Sequence, residues 1–417
     1  MIAEIGVIAG VIFAYGIVSR TLGQWNVSAP MVFTGIGIIF GPSLIGVADY
    51  DLTGETGLLI SEIALVVVLF ADASRSDLQE LRTDGSWSGR LLVVGMPLTI
   101  MAGTAAAVVL ITGIEFWEAA VIAAVLAPTD AALGHAVVSS PRIPTRIRQT
   151  INVEAGLNDG LSIPFLFIFL GLAVDQASLD ATAWFTFGVQ QIALGTIVGL
   201  LVGGGGGWLV QHAVRRGTIT FSYERLVMVA IAIGSWALAD QIGANGFIAA
   251  FVAGLAVARF AHDFGVRILD FAEREGQLLS VIVFFIFGTA ASGFLVAMSW
   301  QIGVFVLVAL TVSRMIPVAI SLFGIGLNKW TVAFIGWFGP RGLASIILVL
   351  VVVSEEPDLP GLDIVLATVT ATVLASVLLH GVSAKPFAWL YSSRVVSELP
   401  EEAPELTEDE VDRTRRV

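Results

Sequence analysis

The chain has 417 residues, 56% of them hydrophobic and only 13% charged, with a mean hydropathy of +0.90 and a formal net charge of −13. Soluble domains carry about 25% charged residues, so these figures exclude a soluble enzyme and a disordered hub, and the negative charge excludes a nucleic-acid binder. With no cysteine, disulfides, iron–sulfur clusters and thiolate zinc sites are excluded.

A helix needs about 20 apolar residues to cross the hydrocarbon core. On that criterion an all-α polytopic membrane protein of thirteen spans is predicted. The first six are about 2–18, 30–47, 57–73, 90–112, 116–139 and 149–173, and the other seven about 184–211, 223–240, 243–260, 278–298, 302–323, 329–353 and 363–391. The first carries Glu4 and lacks a basic lead-in, so it reads as a retained helix rather than a signal peptide. Residues 1–396 then form a membrane domain in the lipid bilayer. Residues 397–417, with Glu401, Glu402, Glu405, Glu408, Asp409 and Glu410, read as a solvated acidic cytoplasmic tail, too short for a nucleotide-binding regulatory domain.

Charge orients the spans. Nineteen of the 21 basic residues fall in alternate loops or the tail, while the intervening loops are acidic, with Asp49, Asp51, Glu55, Glu115, Asp175, Asp180, Glu355, Glu356 and Asp358. By the positive-inside rule the N-terminus is outside and the C-terminus cytoplasmic. The remaining two basic residues, Arg314 and Arg341, lie inside spans.

A charge near the bilayer centre costs at least about 2.5–3.5 kcal/mol, so intramembrane ionisable groups mark function. At a rise of ~1.5 Å per residue, Asp130, Asp159, Arg314 and Arg341 fall about 14–18 Å from the cytoplasmic ends of their spans, and Glu154 lies on the same span as Asp159, little more than one turn before it. They are expected to form one buried site. The backbone agrees, because span five is interrupted by Ala127-Pro128-Thr129-Asp130 and span twelve by Gly339-Pro340-Arg341-Gly342. Proline removes a helical hydrogen bond, and the freed carbonyls must face protein, water or an ion. The two breaks occupy equivalent places if spans one to six repeat, inverted, as spans eight to thirteen, which is a pointer to an ion site in a secondary transporter.

In span six Glu154 and Asn158 share a helix face, whereas Asp159 is turned about 100° from Asn158. The two carboxylates therefore point apart: one can be held in a salt bridge while the other exchanges ligands. A buried acid left without a partner favours its protonated form, as a site that alternately holds a proton and a cation requires.

Taken in order, Ala127-Pro128-Thr129-Asp130, Glu154-Ala155-Gly156-Leu157-Asn158-Asp159-Gly160, Ser313-Arg314 and Gly339-Pro340-Arg341-Gly342 resemble the NhaP / sodium–proton exchanger branch of monovalent cation–proton antiporters. The resemblance implies a thirteen-helix homodimer in a prokaryotic plasma membrane, with a dimerisation domain and a moving six-helix core. By the same resemblance Asp159 is the ion- and proton-binding carboxylate. Asn158 replaces a second acid of electrogenic relatives and so implies electroneutral exchange. Asp130 and the Thr129 carbonyl lie near the ion, and Glu154 is a structural acid paired with an arginine, Arg314 by preference and Arg341 second. Asp72, late in span three, is a further candidate. Some members have serine where this chain has Ala155, so its ion shell must lose a ligand or use water, and sodium-versus-potassium preference stays open.

Other residues have plainer readings. Glu62 reads as a packing acid bonded to a neighbouring hydroxyl, with a proton path as the alternative. Asp72 could be a solvated helix end, and His135 a pH sensor. The run Gly203 to Gly207 lacks the Gly-Lys-Ser/Thr of a phosphate loop and reads as a close helix contact. Four dispersed histidines do not suggest a metal cage, and no cofactor or nucleotide is implied. The leading function is electroneutral exchange of sodium for protons, serving pH homeostasis and sodium tolerance; the alternatives are potassium/proton exchange, sodium-coupled solute symport and a cation channel.

Overall fold

In the computed structural model the described residues are 2–47, 55–75, 86–174, 181–260, 265–294, 299–400 and 403–406, and every regular element among them is helical. The first helices are α1 (Ile2–Gln24), α2 (Ala29–Phe40) and α3 (Glu55–Arg75). Next, α4 (Ser86–Arg90) runs through a π-helical turn, Leu91–Gly95, into α5 (Met96–Leu110). Pro97 in the first turn of α5 has no N–H to give the preceding turn, which widens to accommodate it. The chain continues with α6 (Phe116–Val125), α7 (Ala131–Val138), α8 (Thr145–Val174), α9 (Ala181–Arg215), α10 (Phe221–Gln241), α11 (Gly246–Phe260) and α12 (Gly265–Phe294). It ends with α13 (Trp300–Leu310), α14 (Val312–Ser321), α15 (Lys329–Trp337), α16 (Leu343–Glu355) and α17 (Leu362–Arg394).

Among the described residues, six helical stretches are by themselves long and apolar enough to cross a membrane, from Gly6–Gln24 to Leu362–Arg394. Apolarity locates helices better than it bounds them. The predicted segment 278–298 coincides, as far as Phe294, with a helix beginning at Gly265, which puts Arg267 and Arg274 on that helix rather than in a loop. A helix continues past the apolar stretch wherever its backbone bonds are still satisfied.

The helices pack in two groups. In one, α2, α3, α9, α10, α11 and α12 lie mainly against each other; in the other, α5 to α8 adjoin α13 to α17. Glycine sets the closest approaches. Gly195, Gly199 and Gly203 recur every four residues along α9 and meet α11, where a Cβ on Gly199 would lie 2.5 Å from the Ala249 carbonyl. Within the glycine run, Gly203 meets Ala253 on α11 and Gly206 meets Ile231 on α10, whereas a Cβ on Gly205 would meet nothing within 4 Å. The run is thus a helix contact at two of its positions, as small residues permit between membrane helices. Between the groups, the Asn26 amide in the α1–α2 turn donates to the carbonyls of Gly381 (2.9 Å) and Val382 (2.6 Å) on α17. Asn26 adopts φ +64°, a left-handed conformation that asparagine tolerates.

One expectation needs correction. The tail is not solvated throughout: Glu405 is buried, accepting the Asn328 N–H (2.8 Å) at the start of α15 and the Thr331 hydroxyl (3.0 Å). Arg146 near the start of α8 donates to the Pro404 carbonyl at 2.9 Å. A carboxylate suits a helix N-terminus, which composition alone does not reveal.

Candidate ion-binding site

The two interrupted helices meet at their gaps. Between α6 and α7, residues 126–130 are not helical, and the Asp130 N–H donates to the Pro340 carbonyl at 2.7 Å in the gap between α15 and α16. Both Asp130 carboxylate oxygens accept backbone N–H groups. Oδ1 takes that of Leu133 in α7 (3.3 Å) and Oδ2 that of Leu343, the first residue of α16 (2.7 Å). One carboxylate therefore caps two helix N-termini, whose partial positive charges it offsets. Gly342 makes this possible, since a Cβ there would collide with Asp130 Oδ2. Charge of the opposite sign sits at the opposite kind of end. The Arg341 guanidinium donates to the carbonyls of Ala127 and Pro128, just beyond the C-terminus of α6.

The choice of arginine for Glu154 is settled by distance. Arg314 Nη1 and Nη2 lie 2.6 and 2.8 Å from Glu154 Oε1 and Oε2, a bidentate pair with both side chains only 2–3% exposed. Arg314 enters this position from α14, which starts at a break where Thr311 adopts φ −118° and ψ −85°.

Asp159, on the same helix, is left differently. It is buried, and its Oδ1 accepts no hydrogen bond from the described residues. It lines a cavity of about 670 Å³ together with Asp72, Asp130 and Ala155, and the cavity extends along Ser139, Asn152 and Lys385. Asp72, in the last turn of α3, is half-buried there. Thr129, Asn158, Glu154, Arg314 and Arg341 are not among the lining residues. Asn158 instead donates from Nδ2 to the Thr129 hydroxyl at 2.8 Å, and its Oδ1 accepts no hydrogen bond from the described residues, so α8 is tied to the first gap directly beside Asp159.

Among the remaining candidates, Glu62 accepts the Ser354 hydroxyl at 3.1 Å, the packing role read from sequence. The side chain of His135 lies outside the described ones. Two buried residues escaped the sequence reading. Glu118 accepts the N–H of Glu115 and of Gly361, both at 2.8 Å, tying the start of α6 to the start of α17. His380 lies at the second gap, 3.0 Å from the Trp337 carbonyl. A signal was available for the latter in Thr368, Thr372, Ser376 and His380, a polar residue every four positions on one face of an otherwise apolar segment.

Apolar helices interrupted at mid-length, with charged side chains at the buried helix ends and a cavity reaching a buried aspartate, define a polytopic membrane protein with a polar interior. The chain belongs to the family described as "Sodium/hydrogen exchanger, transmembrane", whose model matches residues 8–390. It is 27% identical to the K(+)/H(+) antiporter NhaP of Alkalimonas amylolytica over 92% of this chain and 66% of that protein. It is also 27% identical to the Na(+)/H(+) antiporter NhaP of Pseudomonas aeruginosa, over 77% of this chain and 78% of that one. Against the K(+)/H(+) antiporter NhaP2 of a Shewanella species it spans 61% of the relative's length, so it covers less than two thirds of several relatives. The fold is that of the sodium proton antiporter MjNhaP1 from Methanocaldococcus jannaschii, with a TM-score of 0.77 at 19% identity, covering 94% of this chain and 99% of that one.

Proposed function

We propose that the chain is a secondary monovalent cation/proton antiporter, a transporter and not an enzyme, in which a proton and a cation compete for Asp159. The observation that carries this is the contrast along α8. Glu154 is neutralised by Arg314, whereas Asp159 has an oxygen without a hydrogen-bond partner and faces the cavity. An ionised carboxylate so placed needs a positive partner, and a proton or a small cation arriving through the cavity supplies it. Asp130 and Asp72 line the same cavity, Thr129 and Asn158 stand behind it, bonded to each other beside Asp159, Glu154 and Arg314 form a structural pair, and Arg341 holds the first gap. Asn158 at the position of a second acid gives one-for-one, electroneutral exchange.

Thirteen crossings follow on this reading, with α4–α5, α6–α7, α13–α14 and α15–α16 each counting as one, the N-terminus outside and the C-terminus cytoplasmic. The two packing groups favour a static dimerisation part and a moving core within 1–396, so that the working unit is a homodimer in the plasma membrane. Sodium is the leading cation. Potassium is the second reading, favoured by the relatives named for potassium/proton exchange, and Ala155 on the cavity wall offers no hydroxyl to either ion.

The test is exchange in proteoliposomes carrying an internal pH dye, with sodium, lithium and potassium compared at clamped voltage. The wild-type chain is expected to dissipate a pH gradient on addition of the transported cation, and Asp159→Asn to abolish the response. Undiminished exchange by Asp159→Asn overturns the site.

A further inference from the structure

Each gap exposes one helix C-terminus as well as one N-terminus. Both N-termini are served by Asp130 and the C-terminus of α6 by Arg341. At the C-terminus of α15 the Trp337 carbonyl accepts the Gly339 N–H at 2.8 Å, and the side chain that reaches it is His380, which is 1% exposed and sits on α17. Its Nε2 lies 3.0 Å from the Trp337 carbonyl, and its Nδ1 lies 3.1 Å from both the hydroxyl and the carbonyl of Ser376. The Ser376 hydroxyl in turn accepts the Arg341 N–H at 2.6 Å. Further along the same face of α17, Ser383 accepts the Trp337 indole N–H at 3.0 Å.

One neutral tautomer serves these partners together. Trp337 offers only a carbonyl, so Nε2 must carry a hydrogen. Ser376 Oγ already accepts from Arg341, which leaves its own hydrogen for the Nδ1 lone pair. A neutral Nε2–H imidazole therefore satisfies a continuous relay: Arg341 N–H to Ser376, Ser376 O–H to His380, His380 N–H to Trp337. The relay holds both flanks of the second gap, residues 337 and 341. Asp130 reads that gap through two bonds, its N–H to the Pro340 carbonyl and its Oδ2 to the Leu343 N–H.

We infer that His380 is a positioning residue of the cation site: as a neutral imidazole on α17 it fixes the second gap, and through that gap the placement of Arg341 and Asp130. The inference rests on the antiporter reading above. It is tested by the cation dependence of exchange in proteoliposomes, with wild type, His380→Leu, His380→Gln and Ser376→Ala compared per amount of folded protein. The Trp337 carbonyl also accepts the Gly339 N–H at 2.8 Å, so losing the imidazole does not orphan it but cuts the tie between the gap and α17. His380→Leu is accordingly expected to raise the cation KM about tenfold with Vmax within about threefold. Glutamine, whose amide N–H can reach the Trp337 carbonyl, is expected to restore KM to within about threefold of wild type. A residue serving stability alone lowers the yield of folded protein and leaves KM where it was, and that outcome overturns the assignment.

Should His380→Leu not fold, Ser376→Ala, which spares the bond to Trp337, is expected to raise KM in the same direction, and an unchanged KM overturns the relay. Nitrogen-15 spectra of histidine-labelled protein, assigned by the signal lost in His380→Gln, are expected to show a neutral ring protonated at Nε2; a doubly protonated ring overturns the proposal. Wild-type exchange with unaffected variants refutes this inference alone, whereas an inert wild type refutes the antiporter reading and this inference with it.

Discussion

Glu154 and Asp159 stand five residues apart on one helix and are therefore rotated by about 140°. That rotation gives one of them a guanidinium and the other a cavity. Removing one member of a buried ion pair strands its partner's charge at a cost of about 3–5 kcal/mol, while replacing both by apolar groups of similar size costs far less. Glu154→Gln is accordingly expected to lower the melting temperature in detergent sharply, and the double variant Glu154→Gln/Arg314→Met to recover most of the loss. Equal melting of wild type and Glu154→Gln would show that the pair contributes no stability. The divergence of the two acids was legible from spacing alone. The choice of arginine was not, because Arg314 and Arg341 lie at similar depth, and only the three-dimensional path of α14 brings the first to Glu154. His380 was missed for a different reason: a histidine without neighbouring ligands says nothing about metals, and its partners are a main-chain carbonyl and a serine.

At the scale of elements, the device is a pair of interrupted helices whose free ends are matched by side chains of opposite sign. Pro128 and Pro340 announce both interruptions, since neither can donate to the preceding turn. The sharing of one carboxylate between α7 and α16 is invisible along the chain, because Asp130 is adjacent in sequence to only one of the two helices it caps. Gly342 is the steric condition for that sharing. Gly342→Ala is expected to yield an inserted, folded protein in which the Asp130 carboxylate is displaced from α16, with exchange falling at least tenfold in proteoliposomes; retained activity would show that the double cap is dispensable. The break at Thr311 and the π-helical turn at Leu91–Gly95 left weaker traces. Pro317 and Pro97 lie nearby without fixing where the backbone departs from α-helical geometry.

Across the whole molecule, the distribution of charge and the shape of the cavity bear on the same question of sidedness. The residues around the cavity beyond Asp159 include Asn152, between the basic cluster Arg142, Arg146 and Arg148 and the buried site, and Lys385 on α17. If basic loops are cytoplasmic, the cavity opens inward, the cation reaches Asp159 from the cytoplasm, and the acidic loops meet the exterior. The absence of native cysteine makes this directly measurable, because a single introduced thiol is the only target for a maleimide. Thr218→Cys probes the exposed turn between α9 and α10, and Asp358→Cys the exposed loop between α16 and α17. In intact cells a membrane-impermeant maleimide is expected to label Asp358→Cys, and to label Thr218→Cys only after the membrane is opened. The reverse pattern would invert every crossing, turn the cavity outward, and require the cation to load from the opposite face, while leaving the pairing of Glu154 with Arg314 untouched.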